Sequence, residues 1–440
     1  MHKRFASVLL FLISLSATAQ QYTLHGRYPS TLGFRLFNDG GETYAFFAAA
    51  KYPDRITYRK IHLGPNLVPL DSIDYDVPGK AWLRGFGGDK NSNYFAFSIN
   101  EPRQALTFIV TDKKGDIKYS LTKTKKELFP VLHIRNNILY YNINPLAFVD
   151  DRLLIVQVPV FRSSHLVAFD MSDGSIAWHV DMPTIFNVQQ TDSLLIGLSL
   201  TYNNNHDITS IHFVNKFTGV KINEIALNPK RHDFRQIGAA ASNGKNFIIA
   251  GEEYTNAKRK HSRFFLESYD LLGRQVFEKV DSVDRLDNYR IMVMGSAFDQ
   301  EGNLVMMGQA YKQESGKKAA VATVGILTGG IALIPLQEEA KIEFITSTVC
   351  SPETGEILKF RAFPVGPWRY FSEFHSYGSY VMMKVLTKTV FFNVNTPEIP
   401  PIQFTDIGMM QSLHITPFGP VATKYQGMNS VLLKMVPREK

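Results

Sequence analysis

Cysteine is almost absent from this sequence, because Cys350 is the only cysteine among its 440 residues. One cysteine can form neither an internal disulfide nor a Cys-x-x-Cys metal or redox site, so packing must stabilise the fold. Long hydrophobic runs are also scarce, and only the N-terminus and residues 319–336 are apolar enough to consider as membrane segments. The composition therefore excludes a disulfide scaffold and a polytopic membrane protein.

The motifs of the common enzyme classes are missing as well. The sequence contains no P-loop, no dinucleotide-binding Gly-x-Gly-x-x-Gly, no His-Glu-x-x-His, no EF-hand loop and no Gly-x-Ser-x-Gly. The histidines are scattered without the i, i+2 or i, i+4 spacing of metal ligands, so the sequence predicts no metal and no cofactor. The net charge of +8 falls to +6 if Lys3 and Arg4 are removed, and this mild excess does not indicate nucleic-acid binding.

The N-terminus has the three parts of a secretory signal. Lys3 and Arg4 form a charged region, an apolar stretch follows at residues 5–15, and Ala17-Thr18-Ala19 is typical of a cleavage site. This pattern predicts export through the Sec pathway to the periplasm, the cell surface or the medium. The expected division of the chain is a signal peptide at residues 1–19 and a single mature domain at residues 20–440.

A unit of about 50 residues recurs along the mature chain. Its clearest copy has strands at Leu153–Val160 and Leu166–Asp170, an Asp-Gly turn at Asp173-Gly174, and a third strand from Ile176. The second strand, the tight turn with glycine and the third strand together are typical of a β-hairpin. Eight units can be aligned by the start of their first strands, which are Tyr44, Tyr94, Leu153, Leu194, Phe247, Leu304, Tyr380 and Val421.

This repeat predicts an all-β fold, a single β-propeller of seven or eight blades. The last unit, from Val421 to Val436, contains only two strands. The segment from Tyr22 to Tyr28 is expected to supply a missing strand and so to close the ring without an open sheet edge. The alternative architecture is a pair of tandem β-sandwich domains.

One hairpin resembles a known repeat. The segment Asp170-Met-Ser-Asp-Gly174-Ser-Ile-Ala-Trp178 resembles the pyrroloquinoline-quinone-type propeller repeat, with an Asp at the strand end, a turn Gly and a Trp four residues later. Two other hairpins, which end at Gly115 and Gly273, resemble it without the Trp. The mature chain as a whole resembles uncharacterised secreted β-propeller proteins of Bacteroidota. These resemblances imply the fold and export, but no motif in the chain matches the quinone or metal ligands of the quinoprotein enzymes.

Residues 319–336 carry no charge and lie in the longest interval between units. The favoured interpretation is two buried strands joined at residues 328–330, which leaves residues 342–363 as an extra piece. A second interpretation makes the segment an insertion, with the hairpin of the unit at Pro352–Gly355. A third is a membrane-touching helix, because Gly325 and Gly329 would allow close helix packing.

An aromatic residue recurs seven or eight positions after the start of five units, at Tyr52, Phe161, Tyr202, Tyr254 and Tyr311. In a propeller these positions share one rim, and the loops beside them are rich in Lys and Arg. The predicted binding residues are Tyr202, Tyr254, Tyr311, Arg259 and Lys260. The alternative is that the tyrosines cap the packing between blades and that the charges are solvated loop ends.

Three functions are compatible with these patterns. The preferred one is a secreted or envelope-associated, non-enzymatic propeller that binds a protein partner or a glycan through the basic, Tyr-bearing rim. The second is a propeller enzyme, either a glycan hydrolase or lyase or a quinoprotein, which would need paired carboxylates or cofactor ligands. The third is an envelope protein anchored in the membrane by residues 319–336. The sequence does not indicate the oligomeric state.

Overall fold

The computed structural model describes the strands, most of the short turns and a few of the longer connections. The described residues are 21–25, 34–39, 42–89, 91–99, 104–132, 143–160, 163–200, 208–227, 234–254, 262–281, 289–312, 342–368, 373–377, 380–385, 388–404, 412–416, 418–426 and 430–435.

The described chain forms eight four-stranded antiparallel sheets. Seven of them each use four consecutive strands, and we refer to them as blades 1 to 7. Blade 1 comprises β2 (Phe34–Asp39), β3 (Glu42–Lys51), β4 (Arg55–Leu63) and β5 (Pro69–Pro78). Blade 2 comprises β6 (Ala81–Gly88), β7 (Ser92–Ile99), β8 (Ala105–Asp112) and β9 (Ile117–Thr124). Blade 3 comprises β10 (Asn144–Val149), β11 (Leu153–Val160), β12 (Ser163–Asp170) and β13 (Ile176–Met182), and blade 4 comprises β14 (Ile185–Gln190), β15 (Leu194–Leu200), β16 (Ile208–Asn215) and β17 (Lys221–Ala226).

Blades 5 to 7 follow the same plan, and blade 8 combines both ends of the chain. Blade 5 comprises β18 (Phe234–Ser242), β19 (Asn246–Tyr254), β20 (Ser262–Asp270) and β21 (Gln275–Asp281). Blade 6 comprises β22 (Tyr289–Phe298), β23 (Leu304–Lys312), β24 (Ile342–Cys350) and β25 (Ile357–Trp368). Blade 7 comprises β26 (Glu373–Tyr377), β27 (Tyr380–Val385), β28 (Lys388–Asn393) and β29 (Ile402–Phe404). Blade 8 comprises β30 (Ser412–Thr416), β31 (Gly419–Gln426), β32 (Ser430–Met435) and β1 (Gln21–His25). A helix, α1 (Lys125–Leu132), follows blade 2, and a 3-10 turn (Pro65–Leu67) lies within blade 1.

The N-terminal strand closes the ring of blades, as the sequence predicts. β1 pairs antiparallel with β32, with Leu24 opposite Val431. A buried apolar cluster then joins blade 8, through Leu24 and Leu433, to Leu36 and Phe47 of blade 1. The first strands β2 and β30 also contact each other. The fold is therefore a closed β-propeller rather than a pair of β-sandwiches.

The apolar strands bury their side chains between blades. Separate apolar clusters fill the interfaces from blade 1 to blade 7, each drawing on two consecutive blades. At the first strands two blades approach so closely that a Cβ on Gly238 would lie 1.8 Å from the carbonyl oxygen of Val293. Glycine is required there because only it allows this contact between neighbouring first strands.

The turn between the third and fourth strands has a common construction. An Asp or Asn side chain at the end of the third strand accepts hydrogen bonds from the backbone of the turn, as in Asp112, Asp170, Asn215 and Asp270. A glycine with positive φ follows within the turn, and the fourth strand then begins with a β-bulge. In blade 3, hydrogen bonds from Arg152 hold the pKa of Asp170 well below its usual range.

These turns also join neighbouring blades. The turn glycine of one blade packs against a side chain from the fourth strand of the preceding blade. Gly219 lies against Trp178, so that a Cβ on this glycine would be 2.5 Å from Cε3 of the indole. The equivalent contacts are Gly115 on Tyr75, Gly174 on Leu121, Gly273 on Asn223 and Gly355 on Phe277. The hairpin that stands out in the sequence is thus a contact between blades.

The structure corrects two of the sequence interpretations. Each of the eight unit starts falls in the second strand of a blade, so the repeat identified from the sequence lacks the first strand of every blade. The favoured interpretation of blade 6 is also wrong. β24 and β25 form its third and fourth strands around Gly355, and residues 342–363 are not an extra piece. Residues 319–336, like the proposed signal at residues 1–19, lie outside the described residues.

Candidate functional site

The two faces of the propeller carry different connections. Because neighbouring strands run antiparallel, the second strand of every blade ends on the same face on which the third begins. We call this the loop face, and most of its connections are long. The opposite face, which we call the turn face, carries the tight turns that join the first strand to the second and the third to the fourth. The rim predicted from the sequence lies on the loop face.

Only two of the five predicted binding residues lie in the part of the chain that the structure describes. Tyr254 is the last residue of β19 and Tyr311 the last but one of β23, so both positions lie at the loop-face end of a second strand. Tyr202, Arg259 and Lys260 lie outside the described residues, as does Phe161. The backbone thus brings two of the five predicted residues to one face, and the remaining three stay predictions.

Tyr52 is an aromatic residue of the predicted rim whose side-chain contacts the structure describes. It directly follows β3, and 44% of its surface is exposed. The guanidinium of Arg55 lies 4.4 Å from the centroid of its ring, and the backbone N–H of Tyr52 donates to the carbonyl of Arg55 over 2.8 Å. Arg55 also pairs with Asp54 at 3.5 Å and Asp76 at 3.3 Å. The Tyr52 ring therefore faces solvent on a turn held by charge pairs.

A second pair of an aromatic and a cation lies in blade 2, on the first strand. Trp82 is the second residue of β6, and the guanidinium of Arg84 lies 4.9 Å from the centroid of its ring. Nε of Arg84 donates to Oγ of Ser98 over 2.7 Å, which fixes the orientation of the side chain. Both side chains are half-buried. The sequence does not reveal this pair, because the first strands do not stand out in it.

The two pairs belong to adjoining parts of the loop face. The backbone N–H of Gly79, three residues before Trp82, donates to the carbonyl of Asp54 in the turn that follows Tyr52. The hydroxyl of the buried Tyr58 accepts a hydrogen bond from the N–H of Leu83 over 3.0 Å and so attaches β6 to blade 1. Exposed Lys51 and Lys80 add positive charge beside the pairs. Such an arrangement can stack a sugar or peptide group on the rings and pair carboxylates with the cations.

A serine, a histidine and a glutamate lie on neighbouring strands of blade 4, in the order of a hydrolytic triad. Nε2 of His212 lies 2.8 Å from Oγ of Ser199, and its Nδ1 lies 3.7 Å from Oε2 of Glu224. Burial lowers the pKa of His212, although Glu224 acts in the opposite direction. Ser199 and His212 are each only 1% exposed. Because a nucleophile must reach its substrate, this buried row fits a structural role at the interface with blade 3.

Three carboxylates are buried in blade 5. Glu252 and Glu253 immediately precede Tyr254, and Glu267 accepts a hydrogen bond from the hydroxyl of Tyr269. The strand register places Arg235 and Arg263 directly opposite Glu253, on either side. Buried carboxylates normally require paired charges or hydrogen bonds, and this register supplies cationic positions. The sequence offered no sign of their burial, because it did not locate the blade interfaces.

Neither a metal site nor a membrane-spanning helix is found within the described ranges. No group of three or more His, Cys, Asp or Glu side chains there could hold a metal ion. No helix of the described chain is long and apolar enough to cross a membrane. The single described α-helix, α1, has eight residues and is capped by Thr124 and Glu127, whose side chains bond each other and the local backbone.

The chain is similar to known proteins in its fold but not in its sequence. No protein-family model and no curated protein matches the chain. Among solved structures, the chain is similar to the Dos1 propeller, with 9% identity, coverage of 94% of each chain and a TM-score of 0.45. It is similar to the Neurospora crassa Pan2 WD40 domain, with 7% identity, coverage of 96% of this chain and 98% of that one, and a TM-score of 0.40. It is also similar to the Kuenenia stuttgartiensis hydrazine synthase, with 9% identity, coverage of 80% and 95%, and a TM-score of 0.44.

Proposed function

We propose that this chain is an exported, non-enzymatic propeller that binds an extended acidic ligand, a glycan or a protein partner, through its loop face. The observation that carries the proposal is the half-exposed Tyr52 ring beneath the Arg55 guanidinium. The Trp82 and Arg84 pair provides a second aromatic and a second cation beside it. The signal-like sequence of residues 1–19 supports export.

The ring of blades favours a polymer over a small metabolite. Equivalent second-strand ends in blades 5 and 6 carry Tyr254 and Tyr311 at the same face. A ligand that extends across several blades gains many weak contacts, each raising the effective concentration for the next. Aromatic faces contribute stacking that salt screens little, whereas exposed Lys and Arg contribute attraction that weakens above roughly 0.1 M salt.

Binding to soluble polysaccharides tests the proposal. The mature chain is titrated with polygalacturonate and with a neutral glucan of similar length, at low and at high salt. We expect the parent chain to bind the acidic polymer. Tyr52→Ala should weaken this binding about three- to tenfold at either salt concentration, which is the range expected for one lost stacking contact. Arg55→Ala should weaken binding mainly at low salt.

The matched control is Val68→Ala, which removes an exposed apolar side chain on the turn face. It should leave binding unchanged. Equal loss of binding in Val68→Ala and Tyr52→Ala, or tighter binding to the neutral polymer, would contradict a loop-face site for acidic ligands. A panel of acidic proteins from the same compartment tests the protein alternative with the same variants.

A further inference from the structure

The exposed hydrophobic side chains of the described chain are concentrated at one structural position. Apart from Tyr52, they all lie in the turn between the third and fourth strands or in the first two residues of the fourth strand. They are Val68, Leu70, Ile117, Phe217, Val220, Ile222, Leu272, Val276, Leu358 and Ile399. Scattered single hydrophobic residues on a surface need no explanation, but repetition at one position does.

A β-bulge at the start of the fourth strand explains the exposure of the side chains at the second position of that strand. In blade 4 the register passes from Val214 opposite Lys221 to Phe213 opposite Asn223, which leaves Ile222 unpaired. In blade 5 the same shift leaves Val276 unpaired. A bulge turns the extra side chain away from the ladder, so an apolar residue placed there is presented to solvent.

Blades 4 and 5 are the only neighbouring blades of the described chain in which each hairpin exposes more than one such residue. Their five side chains form what we call the hairpin patch: Phe217, Val220, Ile222, Leu272 and Val276, exposed by 38% to 56%. The two hairpins are joined directly, because Nδ2 of Asn223 donates to the carbonyl of Leu272 over 2.9 Å. The two hairpins that carry the patch are therefore in direct contact across the blade boundary.

Basic residues lie in the turns of the same two blades as the hairpin patch. The turns of these two blades and the first residue of β17 carry Lys216, Lys221, Lys245 and Arg274. Nζ of Lys216 lies 5.5 Å from the centroid of the Phe217 ring. The carboxylates in the same turns are Asp192 and Asp270, and Asp270 is already paired with Arg274 at 2.7 Å.

The neighbouring blades have the opposite character. The turns of blade 3 carry Asp150, Asp151 and Asp173, and those of blade 6 carry Asp299, Glu301, Glu353 and Glu356. The basic and apolar turns of blades 4 and 5 thus form a separate sector of the turn face. Exposed aliphatic and aromatic residues flanked by Lys and Arg fit the boundary between lipid headgroups and acyl chains at an anionic membrane surface.

We infer that the hairpin patch docks the propeller peripherally on an anionic lipid membrane. The five side chains enter the headgroup region while the exposed Lys221 and Lys245 contact lipid phosphates. This contact is separate from the loop face, and it does not involve residues 319–336. The ligand-binding face therefore stays accessible while the molecule is bound to a membrane.

Flotation with lipid vesicles tests the inference on the full mature chain. The vesicles contain either phosphatidylcholine alone or about one-third phosphatidylglycerol. We expect flotation with the anionic vesicles only. Ile222→Ser together with Leu272→Ser should lower the partition coefficient about tenfold, because each side chain is half exposed in the free protein and contributes roughly a threefold gain on burial. Lys221→Gln together with Lys245→Gln should lower it at low salt.

The matched control is Leu70→Ser, which removes an exposed bulge residue of the same kind in blade 1, next to Asp71. It should float like the parent chain, and all variants should keep the parent melting temperature. In Phe217→Trp, anionic vesicles should shift the added indole emission to the blue relative to the parent chain. Failure to float with anionic vesicles overturns the inference, as does flotation that the Ile222 and Leu272 changes leave intact.

Discussion

A methyl group added at Gly219 should destabilise the propeller more than backbone conformation alone explains. Gly219 has φ of +70°, a region in which alanine costs about 1 to 2 kcal/mol. Its Cβ would also lie 2.5 Å from Cε3 and 2.7 Å from Cδ2 of Trp178, in the preceding blade. Forcing such a contact in a packed interface typically costs a further 1 to 3 kcal/mol or so. We therefore expect Gly219→Ala to lower the free energy of unfolding by about 2 to 5 kcal/mol.

Gly244 provides a matched control. It has φ of +84° and no atom within 4 Å of the position of a Cβ, so Gly244→Ala should show the backbone cost alone, about 1 to 2 kcal/mol. Trp178→Ala removes the ring against which the added methyl would press. In that background Gly219→Ala should cost no more than Gly244→Ala, even though Trp178→Ala is itself destabilising.

Chemical denaturation of the four variants and the parent chain, followed by circular dichroism, gives the required free energies if unfolding is two-state. The difference between the two glycine substitutions measures the contact between blades 3 and 4. Equal costs for Gly219→Ala and Gly244→Ala would refute the account of the turn as a contact between blades. So would an unchanged cost of Gly219→Ala in the Trp178→Ala background.

Three further outcomes are expected. Leu24→Ala should lower the free energy of unfolding by about 2 to 4 kcal/mol in a single transition, whereas a shift confined to a minor early transition in calorimetry would argue against closure by β1. Because burial lowers the pKa of His212 from its usual 6.5, the unfolded chain binds more protons than the folded chain below about pH 6.5. The free energy of unfolding should therefore fall as the pH drops below that value, and the urea midpoint of His212→Gln should fall less steeply with pH than that of the parent chain. An equally steep fall in the variant would exclude His212 as the cause of the pH dependence. Edman sequencing of the exported protein should start at Gln20, and recovery of residues 1–19 in the mature protein would reject the signal.

The sequence predicts those parts of the fold that local chemistry determines. Turns such as Asp170–Gly174 and Asp270–Gly273 can be recognised in the sequence, because the turn requires a capping carboxylate at its start and a glycine of positive φ three or four residues later. Their spacing predicted seven or eight blades, and the two strands of the last unit suggested that the N-terminal strand closes the ring. The first strands were missed although two of them end in turns of this kind, which contain Gly244 and Gly302. A first strand such as β18 offers only two large apolar residues beside Arg, Gln, Gly and Ala, so it does not stand out as a strand.

Contacts between distant residues account for the rest. In blade 6 two glycine-containing segments compete for the hairpin, and only the pairing of β24 with both β23 and β25 decides for Gly355. Trp82 and Arg84 lie two residues apart on β6, whose register against β7 shifts between Leu83 and Gly85. A β-bulge changes which face a side chain occupies, and alternation in the sequence does not reveal its position.

Hydroxyl-radical footprinting of the mature chain, with and without saturating polygalacturonate, tests the proposed loop-face site most directly. The account predicts reduced oxidation of Tyr52, Trp82 and the peptides that contain Tyr254 and Tyr311, with no change at Phe217 or Leu272 on the turn face. Protection confined to the turn face, or binding without protection of any loop-face aromatic, would contradict it.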